Sequence, residues 1–537
     1  MAVERFDAVV VGSGFGGAVT ACRLAEAGAR VLVLERGRRW SPDTYPRKTG
    51  DPWLYHHRHP EKHHGWLDLR FFRGMAVAQG AGVGGGSLCY SSVVMDAGPE
   101  TFAEGWPPEI TPEELAPYSD RVRTMLRVQE IPANQRTARF ELLERAAERA
   151  GWGDRAGPVP LAVSFDPEYS YDLPDPIDAK HAKPFTNDQG VPQHTCVHLG
   201  NCDIGCDVHA KNTLDLNYIP AAESAGAEVR PLHLVSHLEP ADGGGYRVVY
   251  DRIDGGRRQR GSVHGDRVIL AAGSLGSTEI LLRSRDEAGT GTLTGLSPRL
   301  GLGWSPNANF LTPDVYPDDV TVDQGIGPTI SAGLDLMDGS VGGERFFLED
   351  DGFPNVLLNA VTARLESGGG WTPAAWLLRR HLERGLAEKN PFRQIMVWLG
   401  EGLDAHDGRL KLARRWYAPW KGRELSMDWS VRGSRGVIDA IVGAHRRLSE
   451  AAGGDLRVPI WWRLARALVT VHPLGGCCMG KAPADGVVDH RGQVFGAPGL
   501  FVADGAVLPR PTGRNPSLTI AAVAERNAEL MIREEKA

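Results

Sequence analysis

The sequence predicts an α/β protein in which a layered sheet-and-helix domain is interleaved along the chain with a second, α+β domain. Three observations predict it. The run FDAVVV at 6–11 leads into Gly12-Ser-Gly14-Phe-Gly16-Gly17, a helical pattern continues through Ala29, and the strand-like VLVLE ends at Glu35. A second glycine cluster, GAGVGGGS, stands at 80–87, and a small-residue bend follows the strand-like VIL of 268–270 in AAGSLGSTEILLRS. The segment 469–532 returns to the same style in VTVHPLGGCCMG, GLFVADGAVLP and GRNPSLTIAAVAERNAELMI. Glycine-rich turns of one kind at both ends and in the middle place one domain in several pieces.

The first unit reads as strand, glycine turn, helix and strand within about 30 residues, the βαβ opening of a Rossmann-like dinucleotide-binding domain. Gly12 permits the tight turn, Gly14 lets the backbone approach a pyrophosphate, and Gly17 allows close helix–strand packing. The helix start offers free N–H groups and a positive dipole end to phosphate. Glu35 is placed to accept hydrogen bonds from both hydroxyls of an adenosine ribose, and it repels a 2′-phosphate. The alternative is a glycine turn with no ligand.

Between about 40 and 75 the chain is rich in His, Arg, Pro and Trp (YHHRHPEKHHGW) and reads as irregular. Residues 139–150 read as a helix and 153–195 as loop. The stretch from about 300 to 460 alternates possible strands with Trp-rich helical patches and is assigned mainly to substrate binding. No internal repeat is evident.

Composition narrows the function. A net charge of −7 without a like-charge run argues against nucleic acid. The first apolar run breaks at glycine, so no secretion signal is expected, and no stretch of about 18 apolar residues predicts a membrane span. Seven cysteines, an odd number in a long chain, fit a reducing compartment, and the expected location is cytoplasmic.

Six motifs, in order, carry a resemblance: GSGFGG at 12–17, GVGGGSL at 82–88, AAGSLGSTEILL at 271–282, HPLGG at 472–476, VADG at 502–505 and NPSLTI at 515–520. On these the chain resembles the glucose-methanol-choline (GMC) oxidoreductases, and within them the bacterial cholesterol oxidase branch. The resemblance implies FAD as cofactor and a substrate domain with an antiparallel sheet over the flavin. It implies domain pieces at 1–99, 196–299 and 464–537 for FAD, and at 100–195 and 300–463 for substrate. The residues it assigns to the cofactor are Gly12, Gly14, Phe15, Gly16, Gly17, Glu35, Arg36, Gly80, Gly82, Gly84, Gly85, Gly86, Ser87, Tyr90, Ser91, Val235, Ala272, Gly273, Asp504, Gly505, Asn515, Pro516 and Ser517. Glycines 82–86 would let the chain pass close to the pyrophosphate and flavin. Asp504 and Gly505 would contact the ribityl-phosphate region; alone, they read as a turn after a buried strand.

His472 and Asn515 are implied as the catalytic pair. Removing hydride from a carbinol carbon requires the hydroxyl proton to leave, and an imidazole near neutrality suits that task. Asn515 would orient the alcohol and tune the reduced flavin. Singly, a His before Pro-Leu-Gly-Gly reads as a structural loop residue and an Asn before Pro as a turn former. The expected reaction is oxidation of a small-molecule alcohol, a bulky apolar secondary one such as a sterol, steroid or terpenoid, with oxygen or another acceptor reoxidising the flavin. A redox-neutral flavoprotein of lyase or isomerase type is the alternative, and a flavin-binding protein without turnover a third reading.

Several features are not absorbed. Many relatives carry Asn-Gly-Gly after GGGSL, where this chain has Cys89-Tyr90-Ser91-Ser92. Glu366, in ARLESGGG, reads as an isomerase glutamate or as a surface turn. Cys196, Cys202 and Cys206, near His194, His198 and His209, invite a metal hypothesis, but their spacing is no usual ligand pattern, and small buried residues near a loop account for them; no metal is expected. His56, His57, His59, His63 and His64 read as solvated loop residues, with metal binding or covalent flavin attachment as alternatives. Cys477-Cys478 reads as a reduced pair rather than a vicinal disulfide. Trp371, Trp376, Trp461 and Trp462 read as helix core faces or as a surface for transient membrane contact.

Overall fold

The computed structural model describes residues 3–48, 50–285, 290–317, 319–354, 394–414 and 422–536. Its central sheet is built on Arg5–Val11, whose Val9 and Val10 are fully buried. A strand apolar on both faces belongs in a parallel sheet covered on both sides. Arg5–Val11 accordingly pairs in parallel with Val31–Leu34 and with the end of Arg257–Leu270, and Leu500–Val502 adds in parallel beyond it. Glu228–Arg230 completes the other edge. His233–Pro240, Tyr246–Asp254 and Arg257–Leu270 extend the sheet as an antiparallel meander.

The helix Phe15–Glu26 follows the first strand and packs against the C-terminal helix Ser517–Lys536. Arg23 and Glu525 pair across that contact at 2.8 Å. The last 20 residues of chain helix therefore lock onto the first βαβ unit, as the spread of glycine motifs predicts.

The second sheet is antiparallel throughout, in the order Asp455–Leu456, Phe310–Val315, Ile395–Gly402, Glu344–Asp351, Ala332–Val341 and Ala156–Pro158. The helix Arg435–Ala452 covers it with Val437, Ile438, Ile441 and Leu448, a 3.6-residue apolar stripe, and ends at Gly453 in the left-handed region. Ala138–Arg149 is helical, as its pattern predicts, and packs beside it.

The His-rich stretch contains regular structure that its composition conceals. Leu54–Tyr55, Leu67–Phe72 and Met75–Gly80 form a small sheet, joined in parallel by Leu468–Thr470. That last pairing sets Leu468–Thr470, and so His472, beside the strand that feeds the second glycine cluster. Glu366, Trp371 and Trp376 lie outside the described residues.

Candidate active site

The four glycine-rich segments converge backbone to backbone. A Cβ on Gly85 would lie 2.5 Å from Cα of Gly14, and one on Gly16 would lie 1.8 Å from the carbonyl oxygen of Ala503. Gly12 abuts Ala271 in the same way. The motifs at 12–17, 82–88, 271–282 and 502–505 thus form one seam. Phe15 meets Tyr90 edge-on across it, with ring centroids 5.5 Å apart.

This seam fits a dinucleotide. The helix Phe15–Glu26 starts without a side-chain cap and without an acid in its first turn, so its free N–H groups favour an anion. Gly86 has nothing within 4 Å of where a side chain would stand. Buried Gln79 Nε2 and Asp215 Oδ1, next to Gly273 and Gly84, have no hydrogen-bond partner among the described residues. Orphaned polar atoms beside an open glycine cradle fit a polar ligand.

Other assigned residues are engaged within the protein. The Glu35 carboxylate accepts from Ser13 N at 3.1 Å, Ser13 Oγ at 2.7 Å and Gly37 N at 2.8 Å. That leaves about one of its four acceptor directions for a ribose hydroxyl. Arg36 is committed to Asp68 at 2.6 Å. Asp504 accepts from Gly273 N at 2.8 Å, Ser277 Oγ at 2.5 Å and Ala506 N at 2.8 Å, so its carboxylate ties the bend at 271–282 to the turn Gly505–Val507. Burial raises its pKa to about 6 against those donors. Ser87 Oγ donates to Gly84 O and accepts from Leu214 N, and Ser91 donates to Asp203. Ser517 Oγ donates to Val93 O. Val235 is buried in the strand His233–Pro240.

His472 and Asn515 meet around a carboxylate that the motifs do not name. Nδ1 of His472 lies 2.8 Å from Oε2 of Glu401, which is wholly buried. One position of the Asn515 amide lies 3.1 Å from Glu401 Oε1 and 2.8 Å from Oε1 of Glu349, also wholly buried, and satisfies both as the nitrogen. Glu349 and Glu401 stand on one face of neighbouring strands: Glu349 faces Leu399 and Glu401 faces Phe347, so the two acids are diagonal neighbours.

Asn307 and Asn309 complete the constellation. Asn307 Nδ2 donates to Glu401 Oε2 at 3.2 Å and to Arg514 O at 3.0 Å, and its Oδ1 accepts from Gly513 N at 2.9 Å. Asn309 Oδ1 accepts from Thr470 Oγ1, Val471 N and His472 N, which fixes its amide with Nδ2 3.0 Å from His472 Nδ1. Nδ1 therefore sits between a donor and an acceptor. Among the described residues, Nε2 of His472 has no protein partner. The loop is held by Ser305, which pairs with Leu474, and by Gly475 at φ +74, where a Cβ would lie 1.9 Å from Gly303 O. No alternation marks the missed acids: the strands Glu344–Asp351 and Ile395–Gly402 are buried on both faces, and the signal that remains is an acid within an apolar, strand-like run.

The remaining candidates resolve individually. All seven cysteines are free, Cys477 and Cys478 included. Cys196 accepts from His198 N and Cys206 from Ala210 N, each within its own turn. Among the described residues no group of three His, Cys, Asp or Glu side chains is arranged to hold a metal ion. Trp462 is a core residue, edge-on to Phe310 at 5.1 Å, whereas Trp461 is half exposed. Among the described residues no helix is long and apolar enough to cross a membrane.

Known proteins are similar to this chain over most of its length. A profile described as GMC oxidoreductase matches residues 435–524, and one described as NAD(P)-binding Rossmann-like domain matches 10–68. A cholesterol oxidase of Mycobacterium tuberculosis is 31% identical over 98% of this chain and 91% of its own length. A cholesterol oxidase of Acinetobacter baumannii is 30% identical over 97% and 93%. Among solved structures, the pyridoxine 4-oxidase of Mesorbium loti superposes with a TM-score of 0.63 at 17% identity, covering 98% of each chain, and shares the fold. The chain belongs to the GMC oxidoreductase family and is an FAD-dependent alcohol oxidoreductase.

Proposed function

We propose that the enzyme oxidises a bulky, apolar secondary alcohol of the sterol, steroid or terpenoid class to its ketone, with His472 taking the hydroxyl proton. The observation that carries the reading is His472 itself, held at Nδ1 by buried Glu401 with Nε2 free. With Nδ1–H donated to Glu401, Nε2 is a bare acceptor for the alcohol proton. The imidazolium that forms keeps the Glu401 carboxylate beside it. Bound FAD supplies the two-electron acceptor for the hydride leaving the carbinol carbon. Asn515, tied to both acids, orients the hydroxyl. Loss of one proton to Nε2 and one hydride from carbon leaves the carbonyl.

We assign residues 1–99, 196–299 and 464–537 to cofactor and 100–195 and 300–463 to substrate, as the membership of the two main sheets supports. The substrate class is supported by relatives named cholesterol oxidase and by an apolar surface near His472. Ile460, Trp461, Leu464, Val469 and Val471, in the segment that leads into His472, are all exposed. Such a surface fits transient contact with a membrane holding an apolar substrate. Free cysteines fit a reducing, cytoplasmic setting.

One experiment tests these points together: anaerobic titration of the flavin spectrum with steroid, terpenoid and simple alcohols, offered in detergent and in anionic liposomes, followed by air. Bleaching by the bulky alcohols alone, faster from liposomes that co-sediment the protein, is the expected result. Bleaching only by small polar alcohols would overturn the substrate class, and protein left in the supernatant would remove the membrane surface. Rapid recolouring in air identifies oxygen as acceptor, and slow recolouring another acceptor.

A further inference from the structure

The short helix Ile460–Ala465 stands between an apolar surface and a pocket of opposite character. Ile460, Trp461 and Leu464 are exposed and fall on one face of it, whereas Trp462 is buried against Phe310. On the flank of that face, toward the helix Arg435–Ala452, lies a surface pocket of about 470 Å³. Its lining is apolar at Val442, Val458 and Trp462 and carries the guanidinium groups of Arg446, Arg463 and Arg466. Among the described residues, none of these guanidinium groups has an ion-pair or hydrogen-bond partner. Asp439, the acid in the lining, is paired with Arg435 at 3.2 Å.

We propose that this pocket binds the phosphodiester headgroup of an anionic phospholipid and so holds the enzyme on a membrane with the apolar helix face in the lipid. The proposal rests on the reading of that apolar surface as a membrane contact, and it names a lipid chemistry that an apolar surface alone does not select. A guanidinium is a planar fork that fits two phosphate oxygens at once. Arginines gathered around one hollow without carboxylate partners repel one another until an anion enters. The apolar part of the lining suits the carbon chain attached to a headgroup, and the adjoining helix face suits the acyl region below it. A free phosphate would use the guanidinium groups alone and leave Ile460, Trp461 and Leu464 in water.

The pocket is built on a rigid wall. The Arg466 guanidinium lies 4.9 Å over the ring of buried Trp462, which is itself edge-on to Phe310 at 5.1 Å. Arg466 keeps this place although its φ of +51 puts it in the left-handed region, where a helix end ordinarily favours glycine. The same wall reaches the chemistry: Asn309, which precedes Phe310, accepts from His472 N, and the strand Leu468–Thr470 runs from the pocket segment to that histidine. The chain as a whole carries a net charge of −7, which by itself disfavours an anionic surface. Salt screens that repulsion beyond about 8 Å at physiological ionic strength, so a local cationic pocket decides which face meets the lipid.

The test is co-sedimentation of the FAD-loaded enzyme with vesicles of phosphatidylcholine alone and of equal parts phosphatidylcholine and phosphatidylglycerol. The wild type should bind the phosphatidylglycerol vesicles more tightly. A variant combining Arg446→Gln, Arg463→Gln and Arg466→Gln should lose about 100-fold of that affinity, the scale of three basic side chains at an anionic surface, with its flavin absorbance unchanged. Lysine at the same positions keeps the charge without the fork and should recover only part of the loss. Glutamine and wild-type enzymes that bind these vesicles alike would overturn the proposal, and so would a lysine variant equal to wild type, since charge alone would then suffice. Inorganic phosphate matched to the headgroup concentration should leave the enzyme on the vesicles; release by phosphate, but not by chloride of equal ionic strength, would give the pocket to a free phosphate instead. Equal binding of the wild type to both vesicle kinds would keep the apolar contact and remove the lipid site, whereas binding to neither would end the membrane reading and the proposal with it. No alcohol enters the assay, so a wrong substrate class leaves its result standing.

Discussion

Two buried charge clusters in this molecule use the same residue types to opposite ends. Beneath the cofactor seam, Arg36, Asp68, Arg70 and Glu279 form a compensated chain, with contacts of 2.6 Å for Arg36–Asp68, 3.1 Å for Arg70–Asp68 and 2.8 Å for Arg70–Glu279. Burial alone would raise both acids, but Arg70 with Arg36 at Asp68, and Arg70 with Arg283 at Glu279, outweigh it and bring each down to about 2. Around His472 the acids Glu349 and Glu401 have amides and one imidazole, and no arginine or lysine among the described residues pairs with either. Compensated carboxylates hold elements together, here the strand Leu67–Phe72 and the helix Gly273–Arg285. Uncompensated ones stay responsive to a proton, which is what a site that moves protons needs.

The largest way to break the comparison is His472→Ala. It removes the imidazole that pairs with Glu401 among the described residues. The flavin should remain bound, since the glycine seam is untouched, while its reduction by alcohol slows by about 10²–10⁴-fold, the scale of lost general-base catalysis. Stopped-flow bleaching measures it. An unchanged rate would take His472 out of the mechanism and leave the open acid pair without a function.

The next effect falls on the other cluster. Asp68→Asn leaves Arg36 without its carboxylate and Arg70 with Glu279 alone, and breaking such a buried pair costs about 3–5 kcal/mol. Denaturant unfolding should show that loss, while the reduction rate of whatever enzyme remains folded should change little. Catalytic loss at full stability would mean that the compensated cluster belongs to the chemistry after all.

How much of this was legible in the sequence follows the same division. The glycine seam was readable because each motif glycine answers a backbone demand, as Gly16 does against Ala503 and Gly475 against Gly303. His472 and Asn515 were readable because their motifs recur in fixed order. Glu349 and Glu401 were not, because antiparallel pairing joins strands about 50 residues apart and no local pattern announces the partner. RFFLEDD and IMVWLGEG are buried on both faces and show no alternation, so an acid at the end of such an apolar run reads as a strand end. Arg36 was expected at the cofactor from the family resemblance; its partner, Asp68, lies in a stretch whose composition hid three strands.

The smallest effect separates the clusters by sign. Asp68 and Glu279 are more acidic folded than unfolded, so their contribution to stability is full above the unfolded values near 4 and is lost as the pH falls toward 2. Each loss is on the order of 3 kcal/mol, for a displacement of roughly two pH units. Glu349 is less acidic folded than unfolded, so its contribution is full below about 4 and is lost as the pH rises through its raised value. Thermal unfolding from acid to alkaline pH should therefore change on different sides in two variants. Asp68→Asn should flatten the acid limb and leave the alkaline one, and Glu349→Gln should do the reverse. A Glu349→Gln curve displaced equally at every pH would assign that residue a packing role and erase the difference between the two clusters.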